Sequence, residues 1–301
     1  MTAPAPDLRH MARALELAAR GLGTTDPNPR VGCVIARGAS VLAEGWHERA
    51  GGPHAEAMAL ASLGGSAPGA TAYATLEPCC HFGRTPPCAD ALVAAGVRRV
   101  VYAVRDPNPR VSGGGAARLA AAGIEVTGGV MEREARALNA GFLSRFERGR
   151  PWVRVLLPAP RGDDAGGAGV QRLRARSSAV LTGSGTVLAD NPRLDVALPP
   201  AGRQPLRVVL DSRLRIPPQA RIIAPPGGLL VLTASDDAAR RVALERAGAR
   251  VLQVPPGPGG LDLAAVLRCL AGLEVNELQV EAGATLTAAL LAAGLADERL
   301  G

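Results

Sequence analysis

A short histidine–glutamate pair and a cysteine-rich segment downstream of it restrict this chain more than any other feature. His54-Ala55-Glu56 is followed after a gap by Glu77-Pro78-Cys79-Cys80-His81-Phe82-Gly83-Arg84-Thr85-Pro86-Pro87-Cys88. One imidazole and two thiolates, from His54, Cys79 and Cys88, close three corners of a zinc tetrahedron and leave the fourth for a water that the metal activates near neutral pH. Two thiolates cancel the charge of Zn²⁺, which leaves a moderate Lewis acid suited to attack on a heteroaromatic carbon bearing an amino group. Glu56 stands two residues beyond the histidine, poorly placed to share the metal but able to reach its water. Cys80 and His81 are the rival ligands. Adjacent residues do not readily present two sulfurs to one ion, so Cys80 reads as a packing residue.

His-x-Glu followed by Pro-Cys is a deaminase signature, in which the glutamate carries protons from water to a ring nitrogen and to the leaving ammonia. The common second half is Pro-Cys-x-x-Cys, whereas eight residues separate Cys79 from Cys88 here. This longer form resembles the deaminase half of the bifunctional riboflavin-biosynthesis deaminase/reductases. The resemblance implies a cytidine-deaminase-like three-layer α/β/α sandwich over residues 1–149, then a shortened dihydrofolate-reductase-like α/β domain over 150–301. It also implies two steps: zinc-dependent deamination of a diaminohydroxypyrimidine that carries a phosphoribosylamino group, and NADPH-dependent reduction of the ribosyl chain. A nucleobase or tRNA deaminase is the alternative enzyme, and a deaminase with a purely structural second domain is the other.

Composition narrows the class. The net charge is +7, with all 34 basic residues arginine and none lysine, but they are scattered and only 2% of residues are aromatic. Single-strand nucleic-acid binders interleave basic runs with aromatics. No nucleic-acid partner is therefore expected. Apolar runs are too short to span a bilayer, and the start lacks a basic and apolar leader, so a cytoplasmic protein with no membrane partner is expected. Three of the five cysteines fall within ten residues of one another, which favours a metal in a reducing compartment over a disulfide framework. Cys33 and Cys269 read as small core residues.

Along the first half, Asp7 is placed to cap a helix whose apolar face holds Leu8, Met11 and Leu15. Strands are expected at 31–35, 41–46, 70–76, 99–104 and 124–127, and helices from His54, from Ala89 and over 132–146. A helix beginning at His54 aims His54 and Glu56 inward. The strand to Leu76 delivers Cys79 at its C-terminal edge, where open α/β sheets bind ligands. The stiff loops Asp26-Pro27-Asn28-Pro29 and Asp106-Pro107-Asn108-Pro109 are simple turns on their own. Resemblance makes Asn28, His47, His81, Arg84, Asp106 and Asn108 substrate contacts, with Arg84 on the phosphate because a guanidinium fork suits phosphate oxygens.

Arg148-Gly149-Arg150-Pro151 is the expected boundary. Beyond it, Leu181 to Pro192, with Gly183-x-Gly185, Thr186 and Asp190, resembles the reductase cofactor segment. The same resemblance makes Arg174, Leu194, Ser212, Glu281 and Gly283 reductase-site residues. The family's early lysine, its Ser-Leu-Asp-Gly turn and its tryptophan segment have no counterpart in Trp152 to Gly169, and Ala197 replaces an expected arginine. Family members also continue past Asp297-Glu298-Arg299-Leu300-Gly301. The expectation is a weak or lost reductase step and an uncovered sheet edge that a second copy of the chain would fill in a homo-oligomer.

Overall fold

The computed structural model describes residues 3–81, 87–109, 111–157, 167–198 and 203–301. Contacts divide the chain into two compact units, Met1–Glu147 and Arg148–Gly301.

The first unit runs α1 (Ala5–Ala19), β1 (Gly32–Arg37), β2 (Ser40–Trp46), α2 (Ala55–Ala61), β3 (Thr71–Leu76), α3 (Cys88–Ala94), β4 (Arg99–Val104), α4 (Gly114–Ala121), β5 (Glu125–Gly128), α5 (Glu132–Leu138) and α6 (Ala140–Arg148). Its sheet has the order β2-β1-β3-β4-β5. β1 is antiparallel to β2 and β3, and β3, β4 and β5 are parallel. β1 is buried on both faces, which is why it reads as an unbroken apolar run and not as an alternating one. Cys33, Ile35 and Val100 pack under Ala59, Leu60 and Leu92 of α2 and α3. Val34, Tyr73 and Val101 pack on the other face against Met11, Leu17 and Phe142. Full burial of a side chain such as Leu17 or Leu92 stabilises by about 2 kcal/mol. The result is the expected α/β/α sandwich.

Two local expectations need correction. α1 begins on Pro4, whose fixed φ suits a helix start, so Asp7 lies inside the helix and not at its cap. Asp7 is buried. It accepts from Arg99 at 2.9 and 3.0 Å and from the Tyr73 hydroxyl at 2.9 Å, while Leu8 faces solvent. The single helix expected over 132–146 is two, broken at Asn139. There the side chain clasps the Arg30 backbone from both sides, with two bonds of 2.8 Å.

α2 lies unusually deep on the sheet. A Cβ added at Gly45 would fall 2.4 Å from the Ala55 carbonyl oxygen and 2.6 Å from the Ala59 nitrogen, so only glycine lets this helix settle onto β2.

The second unit runs β6 (Trp152–Leu156), α7 (Ala168–Arg176), β7 (Ala179–Gly183), α8 (Ser184–Asp190), β8 (Leu206–Leu210), β9 (Leu229–Thr233), α9 (Ala238–Arg246), β10 (Ala249–Gln253), β11 (Pro256–Gly257), β12 (Gly260–Leu261), α10 (Leu263–Gly272), β13 (Glu277–Val280), α11 (Ala284–Ala292) and β14 (Glu298–Leu300). Seven strands form a parallel sheet in the order β10-β9-β8-β7-β13-β6-β14, and β11 and β12 make a small antiparallel ribbon. Asp237 and Asp262 cap α9 and α10 through backbone amides of Arg240, Ala264 and Ala265. Two elements, α8 and β14, carry no clear sequence signal. β14 pairs with β6 and is tied there by Glu298, which accepts from the Trp152 indole at 2.9 Å and from Arg154 at 2.6 Å. None of the described helices is long and apolar enough to cross a membrane.

Candidate functional site

His54 is the N-cap of α2, in extended backbone just before the helix. Cys79 follows β3, and Cys88 opens α3. Their ligand atoms lie within 4.8 Å of one another. His54 Nδ1 is 3.2 Å from Cys88 Sγ and 3.5 Å from Cys79 Sγ. A tetrahedral zinc with bonds near 2.0 Å to nitrogen and 2.3 Å to sulfur sets N···S separations at roughly 3.5 Å. The donor set and its spacing therefore fit zinc, with Nδ1 as the histidine ligand. The Cys79 thiol is pulled down to about 4, chiefly by the Cys88 thiol and then by His54. The same contact with Cys79 pushes the Cys88 thiol well above its usual value, and contact with Cys79 also raises His54.

Glu56 lies in the first turn of α2 and is only 3% exposed. Burial raises its carboxyl above the ordinary range, so it holds a proton more readily than a surface glutamate and suits two-way transfer. Cys80 turns away from the three ligands toward the Val111 carbonyl.

Asn28 and His47 are brought together. Asn28 Nδ2 is 3.1 Å from His47 Nε2, and His47 Nδ1 is 2.8 Å from the Pro53 carbonyl. The carbonyl requires a proton on Nδ1, which leaves Nε2 to accept from the Asn28 amide. Burial lowers His47, which keeps the ring neutral. The His47 and His54 rings meet edge to face at 5.8 Å. His81 is half-buried, and its Nδ1 has no hydrogen-bond partner among the described residues. Arg84 lies outside the described residues.

Asp106 is 7% exposed and accepts from the Asn108 amide at 2.8 Å. Burial pushes its carboxyl up to about 6. Two further residues were not singled out from the sequence. Asn139 holds the loop that carries Asn28, and Glu77 accepts from backbone amides of Asp106, Gly113 and Ala116. The local marks of Glu77 are its place directly before Pro-Cys and a distant triple glycine, and neither names the amides it serves.

In the second unit, β7, β8 and β13 end at one sheet edge and deliver Gly183 to Thr186, Asp211 to Ser212 and Glu281 to Gly283. Arg174 and Glu281 form a buried two-pronged pair at 2.7 and 2.6 Å. Arg174 also donates to the Asp195 carbonyl at 3.1 Å, and Gln279 donates to Glu281 at 2.8 Å. A Cβ on Gly283 would lie 3.9 Å from Thr186 Oγ1. Arg215 donates to the Ser184 hydroxyl at 3.0 Å, and among the described residues neither Arg213 nor Arg215 has a carboxylate partner. Open α/β sheets bind dinucleotides at this edge. Asp190 sits apart, exposed at the far end of α8. Leu194 is a core residue, packed with Val187 and Val209.

The cytidine and deoxycytidylate deaminase zinc-binding region matches residues 4–104, and the RibD C-terminal domain matches residues 160–300. A riboflavin biosynthesis protein RibD of Escherichia coli is 47% identical over 97% of this chain and 86% of its own length. The chain belongs to the RibD family. The solved structure of Acinetobacter baumannii RibD superposes with a TM-score of 0.87 at 42% identity, over 98% of this chain and 85% of that one. A Thermotoga maritima structure, described as a diaminohydroxyphosphoribosylaminopyrimidine deaminase/5-amino-6-(5-phosphoribosylamino)uracil reductase, gives 0.85 at 36%, over 97% and 84%. As a RibD family member the chain is a riboflavin-biosynthesis deaminase/reductase. Its deaminase domain is zinc-dependent and its reductase domain is of the NADPH-dependent kind. The reductase-like domain expected over 150–301 is present as a RibD C-terminal domain that folds around a seven-stranded sheet, and the expected loss of its motifs is corrected to that extent.

Proposed function

We propose that the first unit hydrolytically deaminates 2,5-diamino-6-(5-phosphoribosylamino)pyrimidin-4-one and that the second reduces the ribosyl chain of the product with NADPH. The clustering of His54, Cys79 and Cys88 beside the buried Glu56 carries the reading. Bound by those three ligands, zinc supplies Lewis-acid activation of a water nucleophile. Glu56 accepts the first proton of the attacking water and delivers it to the ring nitrogen, then carries the second, from the new hydroxyl on the ring carbon, to the departing ammonia. Asn28, oriented by neutral His47, faces the pyrimidine, and Asp106, Asn108 and His81 take the ribosyl portion. Arg84 takes the phosphate.

In the second unit, Thr186, Ser212 and Gly283 hold the dinucleotide, with Asp190 at the outer end of the same helix. Arg174 and Glu281 orient the ribosyl substrate, and the backbone at Leu194 shapes the wall beside them. The domain limits that go with this reading are 1–149 and 150–301. The partners are a phosphorylated small molecule and a second copy of the chain, with no nucleic acid and no membrane, in the cytoplasm.

The test follows ammonia release and NADPH absorbance in one sample, with zinc content measured, for wild type and Glu56→Ala. Ammonia from wild type alone, followed by NADPH consumption, is the expected result. Ammonia with flat absorbance would remove the second step, and no ammonia from zinc-loaded wild type would remove the first.

A further inference from the structure

We infer that Glu77 is a positioning residue whose carboxylate holds the Asp106–Asn108 loop and the start of α4 in register with the strand end that carries Cys79. The inference rests on the deaminase reading above and extends it to how substrate loop and metal ligands keep a common frame.

Glu77 is the first residue beyond β3, and its own amide continues the strand ladder by donating to the Val104 carbonyl at 2.8 Å. Its side chain is 2% exposed. One carboxylate oxygen accepts from the Ala116 amide at 3.0 Å, and the other accepts from Gly113 at 3.0 Å and from Asp106 at 3.3 Å. These amides come from two segments, the loop after β4 and the first turn of α4. First-turn amides have no acceptor within their own helix, so a side chain from elsewhere must serve them. A carboxylate does so without adding a donor of its own, and an amide side chain of the same length would turn an N–H toward one of the three.

The surrounding backbone leaves no slack. A Cβ on Gly115 would lie 1.8 Å from the Pro78 carbonyl oxygen, and one on Gly114 would lie 2.7 Å from Cys80 Sγ. The start of α4 therefore rests directly on Pro78 and Cys80, the residues that flank Cys79. On the other side, the Asp106 side chain accepts from the Asn108 amide, and the Asn108 carbonyl accepts from Val111 and Ser112. Moving the Asp106 amide moves Asn108 with it. Glu77 bonds both segments while sitting two positions from Cys79.

The experiment compares steady-state deamination and zinc content of wild type, Glu77→Gln and Glu77→Ala, together with amide hydrogen exchange of the wild type. Loss of one charge-assisted bond is expected to raise KM for the phosphoribosylamino-pyrimidine about tenfold in Glu77→Gln. Zinc stays at one per chain, kcat falls less than KM rises, and Glu77→Ala is worse on KM. In wild type the amides of Asp106, Gly113 and Ala116 should be protected as a group. An unchanged KM, or zinc loss at unchanged KM, would overturn the inference. Exchange of those amides at open-loop rates would overturn it even if neither variant folded. Wild type that releases no ammonia would count against the deaminase reading itself, a separate outcome.

Discussion

The two candidate sites are built on the same principle and differ in what holds them. Both sit where parallel strands end, yet the first closes on one histidine and two cysteines and the second on an ion pair. In the first unit, His54, Cys79 and Cys88 converge through one helix start, one strand end and a second helix start. In the second, Arg174 and Glu281 meet across 107 positions of sequence. The metal site announces itself because few side chains bind zinc and their spacing is conspicuous. An arginine and a glutamate are ordinary residues until the sheet puts them together.

The strongest way to break the contrast is to remove the metal. Chelator should destabilise the first unit by roughly 4 kcal/mol or more, as expected for a ligand held about a thousandfold above its Kd, and leave the second unit's unfolding transition in place. Differential scanning calorimetry with and without chelator reads this directly, and a joint shift of both transitions would end the comparison. Next in size, Glu56→Gln should lower deamination by about 10²–10⁴-fold with zinc retained, while reduction of supplied deaminated intermediate continues at the wild-type rate. Third, Glu281→Gln strands a buried guanidinium, and breaking such a pair costs about 3–5 kcal/mol. Urea unfolding should show that loss in the second unit alone.

The smallest effect concerns pH. Asp106 moves from 3.8 to about 6 on folding, through burial first and then the neighbouring Glu77. Between those values the folded chain holds a proton that the unfolded chain has released, so stability falls as pH rises through the window and is level above it. Asp106→Asn should therefore raise the first unit's stability at pH 7 by on the order of 2 kcal/mol, with the gain vanishing below pH 4. In the wild type, kcat/KM for deamination should fall as pH drops through about 6, because the ionised carboxylate is the better acceptor for a ribosyl hydroxyl. The variant should flatten that limb.

Residues whose partners are encoded nearby, or whose chemistry is rare, were legible in the sequence. The strands of the first unit and the spacing that brings His54, Cys79 and Cys88 together belong to this group. Glu77 and Asn139 were not, because they bind backbone groups that only the tertiary fold brings within reach. Asp7 looked like a cap because nothing local shows that Arg99 and Tyr73 will surround it. α8 escaped because it begins Ser-Gly-Thr, poor helix formers that packing overrides. Leu194 lies in a stretch without regular structure, and its side chain packs into the core.

Gly45 has a bearing on how such a protein can change. α2 meets β2 backbone to backbone, so the height of His54 and Glu56 above the sheet is set by main-chain thickness and not by the girth of the side chains beneath. Alanine-for-valine exchanges elsewhere in this alanine-heavy core would then alter stability while the imidazole stays at the same altitude. The catalytic ruler and the filling of the interior are separately adjustable, and a lineage can drift in one without recalibrating the other.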